Sequence, residues 1–414
     1  MELMKLNTII GKIKLAEFWY ALLLASLPLP FNFQNGIFIG FVLVIVYYKI
    51  IFKSNSSRIR IYHLLSYLIY LLIITSVLWS TNKIISIEIG FLRFINFVLI
   101  PSVFLIWDRS KVSIQRILIV FSCFVTFWAL FFITNGVYHW LTQGSIGKLL
   151  HHELVGIFDL NRIYVSVMVF ISILYLILNI KVLGKVLKIF LVIQTFFLFL
   201  LSSKLLIILG VLSIVLVYAI KIKKALKILV LAGVLAISFV IVSSLNNGKL
   251  ITELKPNLQQ TFYSKKLGQL YYANGINLRM LYIRFYIELV KEDRVDFFLG
   301  SGVGTSQIML NRKIDEYDMW RGYKEFNYHN QYIQGLSEMG FLYPLILISF
   351  LVLGIRKFFL DKNYFGIGIV FMFTLLFLSE SFLYRQRGIY LFLLIYFLLI
   401  DTKFDHSHNK NAID

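Results

Sequence analysis

The sequence has little charge and one cysteine, and each scarcity excludes a class of protein. Charged residues make up 15% of the 414 residues, while hydrophobic residues make up 59%. Soluble domains carry about 25% charged residues, so the polar side chains present here are too few to coat a water-soluble surface. The single cysteine, Cys123, excludes a disulfide framework and a cysteine-based metal site. The composition therefore predicts a helical protein that crosses a membrane many times.

Long apolar runs are abundant. A spanning helix needs about 20 apolar residues, because the hydrocarbon core is about 30 Å thick and each residue rises about 1.5 Å. The run from Leu191 to Val217 is divided at Ser202-Ser203-Lys204, since a lysine in mid-span is costly in lipid. The twelve predicted spans are 16–30, 36–52, 61–79, 87–107, 114–134, 162–180, 186–201, 204–220, 226–245, 330–354, 364–379 and 388–400.

The net charge of +20 serves as an orientation signal. An even number of spans places both termini on one side. Just over half of the basic residues fall at the N-terminus, at alternate connections and in the C-terminal tail, and the positive-inside rule assigns this set to the cytoplasm. The excess of positive charge is therefore no indication of a nucleic-acid partner.

Three regions follow from this topology. Residues 1–245 form spans one to nine, residues 246–329 form a large outer loop, and residues 330–414 form spans ten to twelve with a cytoplasmic tail. Loops of that length usually have a function. The large loop contains helical stretches, so we expect it to fold as a cap on the outer face.

The amphipathic segment 276–292 of the large loop contains a misplaced arginine. On a helical wheel, Arg284 and Glu288 fall on the solvated face as an i,i+4 pair. Arg279 falls on the opposite, apolar face, where a guanidinium needs an anionic partner or several acceptors. Two interpretations are open: an ion pair with an acid elsewhere in the protein, or a clamp for a phosphate-bearing ligand.

A polar stripe marks the point where the large loop enters span ten. Gln331, Gln334 and Glu338 share a helix face there, which indicates contact with a cavity or with other helices. His329 lies at the outer rim, where a neutral imidazole can accept a proton. The alternative is an interfacial histidine without a role.

Further cations lie near the outer ends of the spans. Arg162 opens span six, Lys204 opens span eight, and Arg385 follows Glu380 between spans eleven and twelve. Singly, each is typical of an interfacial anchor; together they place positive charge near the outer membrane plane. The glycine-rich segment 299–304 lacks the Lys-Ser/Thr of a P-loop and is interpreted as a structural turn.

These elements together resemble the O-antigen ligase and O-antigen polymerase family of bacterial envelope glycosyltransferases. The resemblance extends from about residue 156 to residue 388 and depends on the order of the motifs. They are GIFDLN at 156–161, Ser203-Lys204, Asn277-Leu278-Arg279, the pattern His329-Asn330-x7-Glu338-x-Gly340, and ESFLYRQRG at 380–388. Lys204 departs from the family, in which arginine is commoner at that position.

The resemblance implies an all-α bundle similar to class C glycosyltransferases, with an active site on the periplasmic face of the bacterial inner membrane. Such enzymes take glycan from an undecaprenyl diphosphate carrier. A polymerase, the version favoured here, moves it to another lipid-linked glycan, whereas a ligase moves it to lipid A-core. The short outer connections 28–36 and 80–86 contain no acidic residue, so we expect no metal and no cofactor. Direct displacement at the anomeric carbon predicts inversion.

The resemblance also implies roles for individual residues. His329 would orient or deprotonate the acceptor hydroxyl, and Arg279 would hold the diphosphate. Lys204, Arg162 and Arg385 would assist Arg279, with support from Asn330, Gln331, Glu338 and Arg284. The rival class is a transporter or flippase of lipid-linked sugars. It is disfavoured because the chain shows no pair of similar halves.

Overall fold

The computed structural model describes residues 14–52, 58–108, 112–158, 160–221, 258–269, 271 and 275–401, and these form helices joined by turns. No β-strand occurs in these ranges; one isolated bridge joins Asp296 and Gly300. The predicted ninth span, 226–245, lies outside the described residues. The α-helices are α1 (Leu15–Ala25), α2 (Phe31–Phe52), α3 (Ile61–Thr75), α4 (Lys83–Phe94), α5 (Asn96–Ile106), α6 (Ile114–Gln143), α7 (Arg162–Leu178), α8 (Lys185–Leu200), α9 (Lys204–Lys221), α10 (Leu258–Tyr263), α11 (Gly275–Lys291), α12 (Ser306–Glu316), α13 (Gln331–Met339), α14 (Leu342–Leu360), α15 (Tyr364–Leu376) and α16 (Gln386–Asp401).

Helix α16 lies at the centre of the apolar bundle. Every residue from Ile389 to Ile400 is at most 3% exposed, as expected for a helix that is hydrophobic on all sides. It packs against α1, α4, α5, α7, α14 and α15. The surrounding helices therefore hold α16 in place, and with it the connection that precedes it.

The outer faces of the bundle are apolar. Among the described residues, four helical segments are long and apolar enough to cross a membrane: 31–51, 83–106, 114–143 and 342–360. Along α2, Ile39, Leu43 and Ile50 are each more than half exposed, and exposed apolar surface on this scale marks contact with a membrane. These features support a helical membrane protein. The count of twelve spans stays a prediction.

Two predicted boundaries differ from the structure. The predicted span 330–354 is two helices, α13 and α14, separated at Gly340. This residue has a φ of +71°, and a Cβ built there would lie 1.9 Å from the Phe298 carbonyl oxygen. A residue with a side chain could not occupy that turn. The predicted span 114–134 continues as a helix to Gln143.

The expected division between spans seven and eight is present. Helix α8 ends at Leu200 and α9 begins at Lys204, with Ser202 at a φ of +46° between them. The left-handed backbone at Ser202 ends the first helix, and the lysine stands at the start of the second. The break therefore keeps Lys204 out of the middle of a span.

The segment 258–329 has a hydrophobic core of its own. Apolar and aromatic residues of α11 and α12, including Leu281, Phe285, Leu310 and Ile314, are completely buried in a cluster separate from the main bundle. We call this segment the cap. Its helix α11 also contacts α13, which joins the cap to the start of α14.

Candidate active site

Three ionisable side chains from distant parts of the chain meet beside the N-terminal end of α16. Glu380 precedes that helix, Arg279 comes from α11 of the cap, and His329 precedes α13. Arg279 Nη2 donates a hydrogen bond to Glu380 Oε1 at 2.7 Å, and His329 Nδ1 lies 3.1 Å from Glu380 Oε2. One carboxylate therefore links the arginine and the histidine. We call these three residues the Glu380 cluster.

Arg279 is held by three separate acceptors. Besides Glu380, its Nε donates to the Ser379 carbonyl at 2.7 Å and its Nη1 donates to the Gly275 carbonyl at 2.6 Å. The Arg279 side chain is 28% exposed and that of Glu380 is 11% exposed. Of the two interpretations offered by the sequence, the ion pair with a remote acid is present, because the desolvated guanidinium needs such a partner.

His329 is held in an unusual backbone conformation. Its φ is +47°, a left-handed value that costs a non-glycine residue about 1–3 kcal/mol. The Asn327 side chain accepts the His329 backbone N–H at 2.9 Å, and the imidazole lies parallel to the Tyr282 ring at 6.5 Å between centroids. Glu380 occupies Nδ1. For Nε2, the described residues offer no hydrogen-bond partner, so this nitrogen is available to a ligand.

A cavity of about 410 Å³ opens beside the Glu380 cluster. Its walls come from α2, the start of α7 and the segment before it, the segment before α13, and the connection between α15 and α16 with the first turn of α16. The lining residues are Phe31, His152, Asn161, Ile163, Tyr164, Phe326, Asn327, His329, Glu380, Ser381, Phe382, Arg385 and Arg387. Arg279 is not among them, which places it behind Glu380.

Two arginines give the cavity its positive charge. Arg385 is exposed, and within the described ranges it has no acidic partner. Arg387 lies 4.7 Å from the centroid of the Phe31 ring, and its Nη2 is 3.4 Å from the Leu29 carbonyl oxygen. Of the side chains that the structure describes, one carboxylate lines the same cavity, that of Glu380, and Arg279 already neutralises it. An anionic group is therefore the ligand that this wall favours.

Asn330 and Gln331 fix the spacing between His329 and Glu380. The Asn330 side chain caps α13 by accepting the N–H groups of Tyr332 and Ile333, and its Nδ2 donates to the Leu378 carbonyl at 3.0 Å. The Gln331 side chain accepts the Leu383 N–H at 2.7 Å. These bonds hold residues on both sides of Glu380 against the start of α13.

Glu338 is buried away from the cavity. Its Oε1 accepts hydrogen bonds from Ser306 Oγ at 2.5 Å and Gln334 Nε2 at 2.9 Å. Burial raises the pKa of Glu338 to about 7, although the Ser306 and Gln334 hydrogen bonds oppose the shift. The backbone carbonyl of Glu338 accepts the Gly302 N–H at 2.9 Å. The glycine-rich segment is thus a turn packed against α13, in agreement with the structural interpretation.

Three predicted site residues lie elsewhere. Lys204 is the first residue of α9 and Arg162 the first of α7, and neither lines the cavity. Arg162 Nη1 is 3.1 Å from His151 Nδ1. Arg284 belongs to the cap, where it pairs with Glu288 at 2.8 Å and donates to the Tyr317 hydroxyl at 2.6 Å.

The role of Glu380 in joining Arg279 to His329 is not predicted from the sequence. A signal was present: Glu380 is an acid between two apolar runs, followed at short range by Arg385 and Arg387. His152 and Asn161 were also missed as lining residues. In the described part of the chain, no three His, Cys, Asp or Glu side chains are grouped closely enough to hold a metal ion.

Residues 189–348 match the family model described as O-antigen ligase. The predicted resemblance to the O-antigen ligase and polymerase family is confirmed. The matched segment includes Arg279 and His329, while Glu380 and Arg385 lie beyond its end. A search of curated proteins found no match. Enzymes of the O-antigen ligase family transfer glycans at membranes, so the cavity beside the Glu380 cluster is the candidate site of that chemistry.

Proposed function

We propose that this protein transfers glycan from an undecaprenyl diphosphate carrier to an acceptor hydroxyl, at the periplasmic face of the bacterial inner membrane. The observation that carries the proposal is the combination of His329, held by Glu380, with two cavity-lining arginines. The histidine can accept a proton, and the arginines can bind a diphosphate. Both are needed for displacement of a phosphorylated leaving group.

In the proposed reaction, the acceptor oxygen attacks the anomeric carbon of the donor sugar. The new bond between this oxygen and the anomeric carbon forms as the bond from that carbon to the diphosphate oxygen breaks. The acceptor proton passes to His329 Nε2, and undecaprenyl diphosphate leaves with the electron pair. A single displacement of this kind inverts the anomeric centre. Metal independence and inversion stay predictions.

Glu380 and Arg279 act through His329 in this proposal. In the proposal the carboxylate accepts a hydrogen bond from Nδ1–H, which fixes the tautomer with Nε2 unprotonated and stabilises the imidazolium that forms. Arg279 holds Glu380 by its ion pair and is itself held by the Ser379 carbonyl. We therefore assign Arg279 a positioning role. Lys204 and Arg162 do not line the cavity, so the proposal assigns them no contact with the diphosphate.

Arg385 and Arg387 are the cations that we propose for the diphosphate. Charge builds on the diphosphate as the bond to the sugar breaks, and cations already in place stabilise it without reorganisation. Arg387 is positioned by the Phe31 ring and the Leu29 carbonyl, whereas Arg385 is exposed at the cavity wall. The two arginines would thus combine a fixed contact with an adaptable one.

The test uses purified protein and lipid-linked glycan extracted from a strain that lacks this gene. Lengthened or transferred glycan together with released undecaprenyl diphosphate is the expected result. Unchanged lipid-linked glycan would contradict transferase activity. Movement of intact lipid-linked glycan across vesicles would favour the transporter class.

The choice between polymerase and ligase concerns the acceptor. A polymerase is the version favoured from the sequence, and the family description, O-antigen ligase, favours the second candidate. A deletion strain separates them. Surface lipid capped with a single repeat unit indicates loss of a polymerase, whereas accumulation of undecaprenyl-linked polymer indicates loss of a ligase that uses lipid A-core.

A further inference from the structure

A second cavity of about 370 Å³ adjoins the first. His152 lines both cavities, so the two lie side by side. The second cavity is bounded by the last turns of α6 and by the segment 148–157. Nothing in the reaction proposed above uses these residues.

The wall from α6 is a polar stripe on an otherwise apolar helix. Asn135, His139 and Gln143 follow one another at intervals of four residues, so they share one face. His139 Nδ1 lies 3.1 Å from Gln143 Nε2. The Asn135 side-chain amide is half-buried, and the described residues give it no hydrogen-bond partner. It therefore presents a donor and an acceptor to the cavity.

The length of α6 explains why a polar stripe is tolerated there. Its 30 residues extend for about 45 Å, whereas the hydrocarbon core is about 30 Å thick. Residues 135–143 are the last of the helix and lie beside the segment that leads to Asn161 and the first cavity. The helix is thus longer than the hydrocarbon core, and the end that carries the stripe lies on the side of the Glu380 cluster.

The second cavity differs from the first in charge. Within the part of the chain that the structure describes, its charged side chains are Lys148 and Glu153, and these neutralise each other in an ion pair of 2.6 Å. The remaining polar groups are amides and imidazoles. A wall of this kind offers hydrogen bonds without net charge, which suits the hydroxyl groups of an uncharged saccharide better than a phosphate.

We infer that this second cavity binds uncharged sugar residues of the acceptor glycan and directs the hydroxyl of its terminal sugar past His152 to His329. The inference rests on the proposed function, because it takes the first cavity to be the diphosphate site. Asn135 and Gln143 are its specificity determinants. Their amide groups would bind sugar hydroxyls, and the Lys148–Glu153 pair would form the opposite wall.

The test compares two probes on the full-length protein in detergent. One is the oligosaccharide released by mild acid from the extracted lipid-linked glycan, and the other is inorganic pyrophosphate. Saturation-transfer NMR measures binding of the oligosaccharide, and competition with extracted donor measures binding of pyrophosphate. Asn135→Leu with Gln143→Leu should weaken oligosaccharide binding about tenfold or more, because two hydrogen bonds are lost, and leave pyrophosphate binding unchanged.

Two further variants make the test specific. Arg385→Ala should have the opposite pattern, with weaker pyrophosphate binding and unchanged oligosaccharide binding. Thr142→Val is the matched control, since Thr142 lies on the same turn of α6 but does not line the cavity; both probes should bind as in the wild type.

Several results would overturn the inference: a wild-type protein that does not bind the oligosaccharide, oligosaccharide binding that survives in the Asn135 and Gln143 double variant, or loss of pyrophosphate binding in that variant. A wild-type protein that binds oligosaccharide but not pyrophosphate would instead contradict the diphosphate site of the proposed function.

Discussion

The protein has two clusters of charged residues, one in the cap and one beside α16, and they differ in how completely their polar atoms are paired within the cluster. In the cap, Lys313 is 2% exposed and contacts Glu288, Glu292 and Glu316, while Arg294 pairs with the last two. Every charge there is matched within the cluster. In the Glu380 cluster, the carboxylate is matched by Arg279, but His329 presents one ring nitrogen to a cavity lined by two further arginines.

The difference shows how a structural network can be told from a reactive one. Counting ion pairs does not separate the two clusters. What separates them is whether a polar atom remains directed at an accessible cavity after the internal hydrogen bonds are formed. Lys313 donates to three carboxylates, which leaves it nothing to offer a ligand. His329 combines a fixed Nδ1 with an available Nε2.

The largest expected effect is that of His329→Ala. Removal of a general base lowers the rate by about 10²–10⁴-fold. A deletion strain that carries this variant should therefore show the same glycan pattern as the deletion itself. The measurement is the surface glycan profile of strains that carry equal amounts of the wild-type or variant protein in the membrane. Tyr317→Phe, in the cap network, serves as control and should restore the normal pattern.

Glu380→Gln should have the next largest effect. The amide cannot stabilise an imidazolium as a carboxylate does, so we expect kcat to fall at least tenfold with a smaller change in KM. Arg279→Lys should be similarly impaired, because a lysine cannot reach Glu380, Ser379 and Gly275 together. Steady-state transfer rates measure both. Near-normal kcat in Glu380→Gln would show that the cluster is only structural.

Arg385→Ala should act mainly on donor binding. Loss of one cation facing the diphosphate should raise the KM for lipid-linked donor about tenfold, and Arg385→Lys should recover part of the loss. The effect should diminish at high salt, since the contact is electrostatic and exposed. An unchanged KM at low salt would remove Arg385 from the site.

Lys313→Met should affect stability and leave catalysis intact. It leaves three carboxylates close together without the buried cation between them, which destabilises the network. We expect the melting temperature of the detergent-solubilised protein to fall by several degrees. Below that temperature, transfer activity should be near normal. Loss of activity without a loss of stability would contradict the division between the two clusters.

Glu338→Gln should have the smallest effect, and one that depends on pH. Burial raises the pKa of Glu338 to about 7 from an ordinary value of 4.5, so the folded state favours the protonated acid. Stability is then highest below about pH 4.5 and is lost as the pH rises through 7. The variant should match the wild type at pH 5 and melt higher at pH 8. Equal melting curves at both values would contradict a protonated Glu338.

The sequence predicted much of the local structure and little of the long-range assembly. Helix periodicity placed Arg279 on the apolar face of α11, and the cost of a lysine in lipid predicted the break before Lys204. The partner of Arg279 could not be predicted, because Glu380 is 101 positions away and only the packing of α11 against the connection between α15 and α16 brings them together. The break at Gly340 was missed because hydropathy does not register close contact with the Phe298 carbonyl.

The same limit applies to the cations. Arg162, Lys204 and Arg385 all stand at helix ends, and their sequence positions give no reason to choose between them. The structure places only Arg385 on the cavity wall, since the turn before α16 curves around the cavity. Helix ends can be read from a sequence, whereas the direction in which each end faces depends on packing.

We propose that the Glu380 cluster, and not the Lys313 network of the cap, carries the reaction. The release of undecaprenyl diphosphate by purified protein is the most direct test of that assignment. Wild type, His329→Ala and Lys313→Met are compared at a temperature at which all three are folded, with lipid-linked glycan as donor. We predict release by the wild type and by Lys313→Met, and release at least a hundredfold slower by His329→Ala. Equal release by the wild type and His329→Ala would contradict the account.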